Sequence, residues 1–308
     1  MSLKSGREAL SSKLIDLPAN LQGALWMLVA CVVFSFMSLG VKYVGETGLD
    51  SFQIGFIRAF YGFIFVIPFV LKKGVFTLRT SRFPMHVARS LFGITGMLSV
   101  MYTLTNMPLA DSVALTFTRP LFVIVLAVLF LGEMVRWRRW TATAVGFLGV
   151  LIMVQASATI GFATAIGLFG ALMVACVSVF IKKLSATEEP TTIMFYFGLI
   201  GSLVAAVPAY FVWQDPTWMQ LFLLGLTAAA GTCGNYCVIR AISVGEATAV
   251  MPYDYTRLIF SAILAYFAFG EIPTWGMVLG ACVIVVSSLY IMQREAKLKK
   301  AEKKVASA

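Results

Sequence analysis

The chain has 308 residues, of which 60% are hydrophobic and 12% are charged, and its formal net charge is +10. A soluble domain cannot cover so much apolar surface, so the composition excludes that class and indicates an integral membrane protein. The positive charge does not indicate nucleic-acid binding, because the basic residues lie in short connections and in the C-terminal tail.

Ten apolar stretches are long enough, or nearly so, to cross about 30 Å of hydrocarbon as helices. In chain order these predicted spans cover residues 21–43, 51–71, 85–107, 111–131, 138–155, 164–184, 191–212, 218–240, 247–269 and 274–292. A segment 1–20 precedes them and a basic tail 293–308 follows them. The sequence therefore predicts an all-α integral membrane protein whose function lies among ten transmembrane helices.

Charge alternates between successive connections. Lysines and arginines lie before span 1, after spans 2, 4 and 6, at the end of span 8 and in the tail, whereas the opposite connections carry mainly carboxylates, including Glu46, Asp50 and Asp215. With ten spans, all the basic segments lie on one side, which the positive-inside rule assigns to the cytoplasm. We therefore expect both termini in the cytoplasm, with residues 1–20 as an N-terminal segment and the tail near anionic lipid.

One structural unit occurs twice in the chain. Phe130-Leu131-Gly132-Glu133 closes one apolar stretch and Ala268-Phe269-Gly270-Glu271 closes another, 138 positions later, and at that offset Arg119 falls on Arg257. Each half has five spans, an odd number, so the two halves are predicted to be inverted in the membrane. Inverted halves are a known way to build a transporter with a central site that is open to each side in turn.

Two sequence patterns stand out: Pro108-Leu109-Ala110-Asp111 through Pro120-Leu121-Phe122 to Leu131-Gly132-Glu133, and Met251-Pro252-Tyr253-Asp254-Tyr255 to Gly270-Glu271. In these patterns the chain resembles the EamA-type transporters of the drug/metabolite transporter superfamily. The resemblance covers nearly the whole chain and implies two EamA-like repeats, residues 21–155 and 164–292. Relatives of that kind move amino acids, riboflavin, S-adenosylmethionine or other small metabolites across bacterial inner membranes. Arg119 replaces the small or apolar residue expected before its proline, which favours an anionic or zwitterionic ligand.

Charged residues inside a membrane cost about 2.5–3.5 kcal/mol on insertion scales, so they are candidate functional residues. Five lie inside the predicted spans: Arg58, Arg89, Arg119, Asp254 and Arg257. Arg58 is either a bidentate ligand for a carboxylate or phosphate, or a buried tether to a helix end or to Asp111. Arg89 is either functional or an arginine that extends to the basic interface.

Asp254 and Arg257 are three positions apart, which predicts a neutral ion pair on one face of span 9. The alternative is that Asp254, the only carboxylate well inside a span, couples transport to a proton or releases Arg257 to the substrate. Pro120 and Pro252 interrupt spans 4 and 9 at related places. Such paired interruptions indicate a central binding cavity, although a proline can also serve only as a packing kink.

Polar and aromatic residues complete the predicted substrate-binding set, which contains Arg58, Tyr102, Thr116, Arg119, Asn235, Tyr236, Tyr253 and Arg257. Thr116 shares a helix face with Arg119, the amide of Asn235 and the phenol of Tyr236 offer hydrogen bonds, and the other tyrosines offer ring faces. The five cysteines all fall in predicted spans and the chain has one histidine. We therefore expect no disulfide, metal or cofactor.

Together these features predict a secondary transporter that moves an amino acid, a riboflavin-like molecule or another anionic or zwitterionic metabolite across the bacterial inner membrane by alternating access. One alternative is a transporter of S-adenosylmethionine or another nucleoside-like metabolite. The other is a membrane-embedded lipid-modifying enzyme, for which a single histidine and one intramembrane carboxylate are a poor supply of catalytic groups. The expected partners are a small-molecule substrate and the lipid bilayer.

Overall fold

The computed structural model describes residues 18–106, 112, 115–116, 118–132, 137, 140–141, 144–145, 147–149, 161–269, 275, 279, 282–283 and 286. Within these ranges the chain is helical and contains no β-strand. Six helices of the described part are long and apolar enough to cross a membrane. They are α1 (Ala19–Glu46), α2 (Ser51–Lys73), α3 (Phe83–Asn106), α5 (Phe162–Leu184), α6 (Pro190–Phe211) and α7 (Trp218–Val244).

The predicted spans 1–3 and 6–8 agree with these six helices to within four residues at every end. Span 4 contains the shorter helix α4 (Arg119–Leu131), and span 9 is divided into α8 (Ala247–Val250), a 3-10 helix (Met251–Tyr255) and α9 (Thr256–Phe269). Most of the predicted spans 5 and 10 lie outside the described residues, as do the first 17 residues and the tail. The count of ten spans therefore stays a prediction.

Local sequence explains where several helices begin and end. The Asp50 carboxylate accepts a hydrogen bond from the Phe52 amide at 2.7 Å and so caps the start of α2. Thr217 and Gln220 form a capping box at the start of α7. At the end of α4, Gly132 has a φ of 64°, the left-handed conformation that glycine favours after a helix. The predicted closure of this helix at Gly132 is confirmed.

Helix packing relates the two halves as equivalent copies. The first helix of each half packs on the third helix of the other half: α1 lies against α7, and α5 lies against α3. The second helices, α2 and α6, pack on each other. The contact of α1 with α9 has its counterpart in the contact of α5 with α4. Exchanging the halves therefore preserves the packing, as a two-fold relation requires.

Polar contacts between the connections show that the halves run in opposite directions. At one end of the bundle, Thr47 accepts a hydrogen bond from Gln220 at 2.8 Å, so the end of α1 and the start of α7 share a face. At the other end, Thr80 donates to Glu188 at 2.6 Å, so the α2–α3 and α5–α6 connections share the opposite face. α1 thus ends at the first face and α5 at the second, as predicted for an inverted repeat.

The two faces differ in charge. We call the first the acidic face, because Glu46, Asp50 and Asp215 lie at its helix ends. The second is the basic face, where α2, α5 and their connections carry Lys72, Lys73, Arg79, Arg82, Lys182 and Lys183. The predicted grouping of basic residues on one side is confirmed for this described part of the chain.

Apolar cores lie toward each face, and the polar interior lies between them. On α1, Ala24, Met27 and Ala30 belong to the core nearer the basic face, while Val41 and Val44 belong to the core nearer the acidic face. Between these groups, Phe34 and Met37 of α1 line a central cavity. A site at this depth is enclosed by helices from both halves.

Candidate functional site

A cavity of about 150 Å³ lies between the two halves, at the interrupted ends of α4 and α9. A smaller cavity of about 40 Å³ shares Arg58, Met97, Phe197 and Asn235 with it. Pockets that enclose a drug-sized ligand usually measure at least about 300 Å³. Helices must therefore separate before a metabolite of that size can enter.

Four arginines from four helices line the larger cavity: Arg58 of α2, Arg89 of α3, Arg119 of α4 and Arg257 of α9. A guanidinium group stays charged at any physiological pH. Among the described residues, the one carboxylate that pairs with any of them is Asp254. Counted over the described residues, these four cations and one anion give a net charge of +3 around the cavity, which favours a ligand with a negative group.

The ion pair of Asp254 crosses between the halves. Its Oδ2 lies 3.4 Å from Nη1 of Arg119, so the pair joins the start of α4 to the 3-10 helix Met251–Tyr255. The predicted pairing of Asp254 with Arg257 is wrong, because the Arg257 side chain turns toward α1. There Nη2 of Arg257 donates to Ser38 Oγ at 2.7 Å.

In the part of the chain that the structure describes, the two terminal nitrogens of Arg58 have weak acceptors. Nη1 donates to Met101 Sδ at 3.3 Å and Nη2 donates to Met37 Sδ at 2.7 Å, while the buried Nε has no hydrogen-bond partner among the described residues. Thioether sulfur is a weak acceptor compared with a carboxylate. The predicted alternative partner, Asp111, lies outside the described residues.

Arg89 lies inside the cavity wall and is 2% exposed. Its Cζ is 4.1 Å from the centroid of the Phe197 ring, a cation–π contact between α3 and α6. The Nε and Nη1 atoms of Arg89 are buried without a hydrogen-bond partner in the described structure. Arg89 is therefore buried between α3 and α6, and the choice between a functional and an interfacial role stays a prediction.

Five of the predicted substrate-binding residues line the larger cavity: Arg58, Thr116, Arg119, Asn235 and Arg257. Asn235 also lines the smaller cavity beside Arg58. Thr116 and Arg119 lie on either side of the interruption that precedes α4. The shared helix face of Thr116 and Arg119 and the paired prolines thus pointed to residues that line the same cavity.

The three predicted tyrosines do not line either cavity, and their role in substrate binding stays a prediction. Tyr102 contacts Phe162 edge to face, with the ring centroids 6.5 Å apart. Tyr236 follows Asn235 directly on α7, and neighbouring helical residues point about 100° apart. It is 37% exposed, whereas Tyr253 is buried in the apolar core.

Sequence reasoning missed the apolar lining and left Arg89 out of the substrate-binding set. The missed lining residues include Phe34, Met37, Met97, Met101 and Phe197. The sequence contains one indication that Arg89 faces a cavity. Gly93 and Gly96 follow Arg89 by four and seven positions and so lie on the same helix face. Both glycines line the cavity, where small residues leave space beside the guanidinium.

The model of the EamA-like transporter family matches residues 21–155 and 161–293. The chain is 35% identical to the S-adenosylmethionine uptake transporter of Rickettsia prowazekii (strain Madrid E), over 91% of this chain and 96% of that protein. It is 30% identical to the riboflavin transporter of Vibrio cholerae serotype O1, over 93% of this chain and 98% of that protein.

One solved crystal structure gives a TM-score of 0.74 at 16% identity, covering 90% of this chain and 98% of the other, which supports the fold alone. The two family matches and the named relatives show that the protein transports small metabolites, and its apolar helices show that it is a multi-pass membrane protein. The resemblance inferred from the sequence is thereby confirmed: the chain belongs to the EamA-like transporter family.

Proposed function

We propose that the protein is a secondary transporter for a metabolite with an anionic group and a planar ring, and that S-adenosylmethionine is its first candidate substrate. The observation that carries this proposal is the cavity with four arginines and one paired carboxylate. Excess cations in a poorly solvated interior are stabilised by an anionic ligand. S-adenosylmethionine offers a carboxylate to the arginines, and its ammonium and sulfonium groups can lie near Asp254, the one carboxylate that the described part of the site contains.

Riboflavin is the second candidate. It has a large planar ring system but no carboxylate, so its recognition would depend on stacking. The contact of Arg89 with Phe197 at 4.1 Å favours it, because a guanidinium that already lies on one ring can stack on a second. The riboflavin transporter among the relatives supports the same choice.

The proposed topology has ten spans in the bacterial inner membrane, with the basic face and both termini in the cytoplasm. In this arrangement, contacts between the halves close each face. At the acidic face, Gln53 donates to the Gln214 carbonyl and accepts from its amide; at the basic face, Lys73 pairs with Glu189. Alternating access requires these two sets of contacts to open in turn.

Asp254 is the candidate coupling residue. Because its ion pair joins the interrupted segments of both halves, a substrate that enters between them and separates Arg119 from Asp254 would release the Asp254 carboxylate. The released carboxylate can then accept a proton or a cationic group of the substrate. Asp254→Asn should therefore remove the pH dependence of transport. Unchanged transport with an unchanged pH profile in this variant would exclude proton coupling through Asp254.

Counterflow in proteoliposomes tests the proposed substrate. Liposomes preloaded with unlabelled S-adenosylmethionine should accumulate the labelled compound, and preloading with riboflavin or amino acids measures their relative exchange. Arg119→Gln should abolish accumulation, while Arg79→Gln, a matched change at the exposed basic face, should preserve it. Absence of exchange with every compound would exclude the proposed substrates. Lipid analysis of the same liposomes tests the enzyme alternative, which predicts a modified lipid.

A further inference from the structure

The two ends of the cavity have different chemistry. Its lining on α3 extends from Arg89 to Met101, which corresponds to about 18 Å along the helix axis at 1.5 Å per residue. Arg58 contacts Met101 at the end nearer the acidic face. Arg89 lies six positions from the start of α3, at the end nearer the basic face. Once the helices separate, the cavity is therefore long enough for different parts of one ligand to lie at its two ends.

The end nearer the acidic face has the properties of an anion site. Arg58 is 7% exposed, and within the described residues it donates to the sulfur atoms of Met37 and Met101 alone. The neighbouring residue of α1, Ser38, accepts a hydrogen bond from Arg257, so a second guanidinium lies close by. A carboxylate accepts a bidentate hydrogen bond from arginine much more strongly than thioethers do. A ligand carboxylate can thus replace the two sulfur contacts of Arg58.

The other end has the properties of a ring site. The Arg89 guanidinium lies on the Phe197 ring, and its buried Nε and Nη1 donors lack partners in the described structure. A Cβ atom at Gly93 would lie 2.9 Å from the Phe197 ring, so glycine allows this close approach of α6 to α3. A planar ring with nitrogen or oxygen acceptors can stack on this platform and accept the unused hydrogen bonds of Arg89.

We propose that the substrate lies lengthwise in the cavity, with its carboxylate on Arg58 and its planar ring on Arg89 and Phe197. The carboxylate then points to the acidic face and the ring to the basic face. Met37 and Met101 hold the Arg58 side chain in position until the carboxylate replaces them. This assignment rests on the proposed function, since it concerns a substrate with both groups.

Ligands that lack one group test each end separately. We would measure dissociation constants of the purified full-length protein in nanodiscs for S-adenosylmethionine, for its decarboxylated analogue and for methionine, which lacks the ring. Arg58→Gln should weaken S-adenosylmethionine binding by about tenfold or more, as expected for a lost charge-assisted hydrogen bond, and should change binding of the decarboxylated analogue by less than about twofold.

Arg89→Gln should weaken S-adenosylmethionine and its decarboxylated analogue equally, by about fivefold, and should leave methionine binding unchanged. Arg79→Gln is the matched surface control. If Arg58→Gln does not give a folded protein, Arg58→Lys retains the charge but lacks the bidentate fork, and a selective loss of carboxylate-containing ligands is again expected.

The outcomes separate this assignment from the proposed substrate. If the unmodified protein binds no S-adenosylmethionine, the proposed substrate is wrong and the assignment fails with it. If the unmodified protein binds S-adenosylmethionine but the Arg58 variants weaken both adenosyl ligands equally, the lengthwise assignment alone is overturned. A loss of methionine binding in Arg89→Gln would also overturn it, because Arg89 would then contact the carboxylate.

Discussion

The two halves of the protein share one helical arrangement but differ in the groups that they bring to the cavity. The first half supplies Arg58, Arg89 and Arg119, whereas the second supplies one arginine, Arg257, and the carboxylate Asp254 that pairs with Arg119. Equivalent packing allows either face to open by similar movements. Because the charged groups of the two halves differ, the cavity can bind the two ends of a substrate differently. The repeated helix arrangement thus accounts for the opening movements, and the differences between the copies account for substrate recognition.

The ion pairs that join the halves have the same arrangement of charge in the interior and at the basic face. Two ion pairs with arginine or lysine join the halves in the described part of the chain: Arg119 with Asp254 in the interior, and Lys73 with Glu189 at the basic face. In both, the first half supplies the cation and the second half the carboxylate. The buried pair is enclosed in protein, while the surface pair is about half exposed. The extent of burial should therefore determine how much each ion pair contributes to the stability of the protein.

The largest effect is expected for Arg119→Ala. It leaves the Asp254 carboxylate buried without its partner, a change that typically destabilises a protein by about 3–5 kcal/mol. Thermal unfolding in detergent should show this loss, and transport should be abolished. Adding Asp254→Asn to Arg119→Ala should restore part of the stability but not the transport. If the two changes destabilise the protein additively, the ion pair does not join the halves as described.

Asn235→Asp adds a carboxylate to the second half and so increases the difference in charge between the two halves at the cavity. Asn235 and Arg58 both line both cavities, so a carboxylate at position 235 would compete with the substrate for the guanidinium. The shape of the side chain hardly changes, and the half-saturation concentration for transport should rise by about tenfold. Uptake in proteoliposomes at increasing substrate concentration measures this change. An unchanged value would mean that Arg58 does not contact the substrate anion.

Two cation–π contacts, one made by each half, allow a matched comparison of smaller effects. Phe197 of the second half supports Arg89 at 4.1 Å, and Phe34 of the first half supports Arg257 at 5.3 Å. Phe197→Leu should weaken binding of S-adenosylmethionine about threefold to fivefold, and Phe34→Leu should have less effect because its contact is longer. Isothermal titration of both variants gives the ratio. A larger effect of Phe34→Leu would place the ring site beside Arg257.

Much of the fold could be predicted from the sequence because membrane helices are recognised by length and apolarity alone. Spans 1–3 and 6–8 follow from that rule, and the inversion follows from counting spans in each half. The conformation of span 9 could be predicted less well from the sequence. Pro252 indicated an interruption, but a single proline does not specify the 3-10 helix Met251–Tyr255 that turns Asp254 toward α4.

Site residues could be predicted from the sequence only where their residue type is rare inside membrane spans. All four arginines were recognised as charged residues inside spans, and all four line the cavity. Their partners depend on which helices pack together, so Met37 and Met101 as acceptors for Arg58 could not be found by spacing. Aromatic residues were the poorest guide, because tyrosine and phenylalanine are also common in apolar cores and at lipid-facing surfaces.

The smallest effect is expected for the surface ion pair. The hydrogen bond from Lys73 holds the pKa of the Glu189 carboxyl below its ordinary value of 4.5. The pair therefore stabilises the fold above the unfolded-state pKa, and this contribution is lost as the pH falls through the lowered folded-state pKa. Because both side chains are about half exposed, Lys73→Gln should cost less than about 1 kcal/mol at pH 7.

Thermal unfolding of the unmodified protein, Lys73→Gln, Glu189→Gln and the double variant, at pH 7 and at pH 3, measures this contribution. The coupling between the two changes should be small at pH 7 and smaller still at pH 3, because protonation of Glu189 through its lowered pKa removes its charge. A coupling as large as that of Arg119 with Asp254 would contradict the view that burial decides the strength of the pairs. Transport by Lys73→Gln should persist, because the remaining contacts at the basic face include the Thr80 hydrogen bond to Glu188.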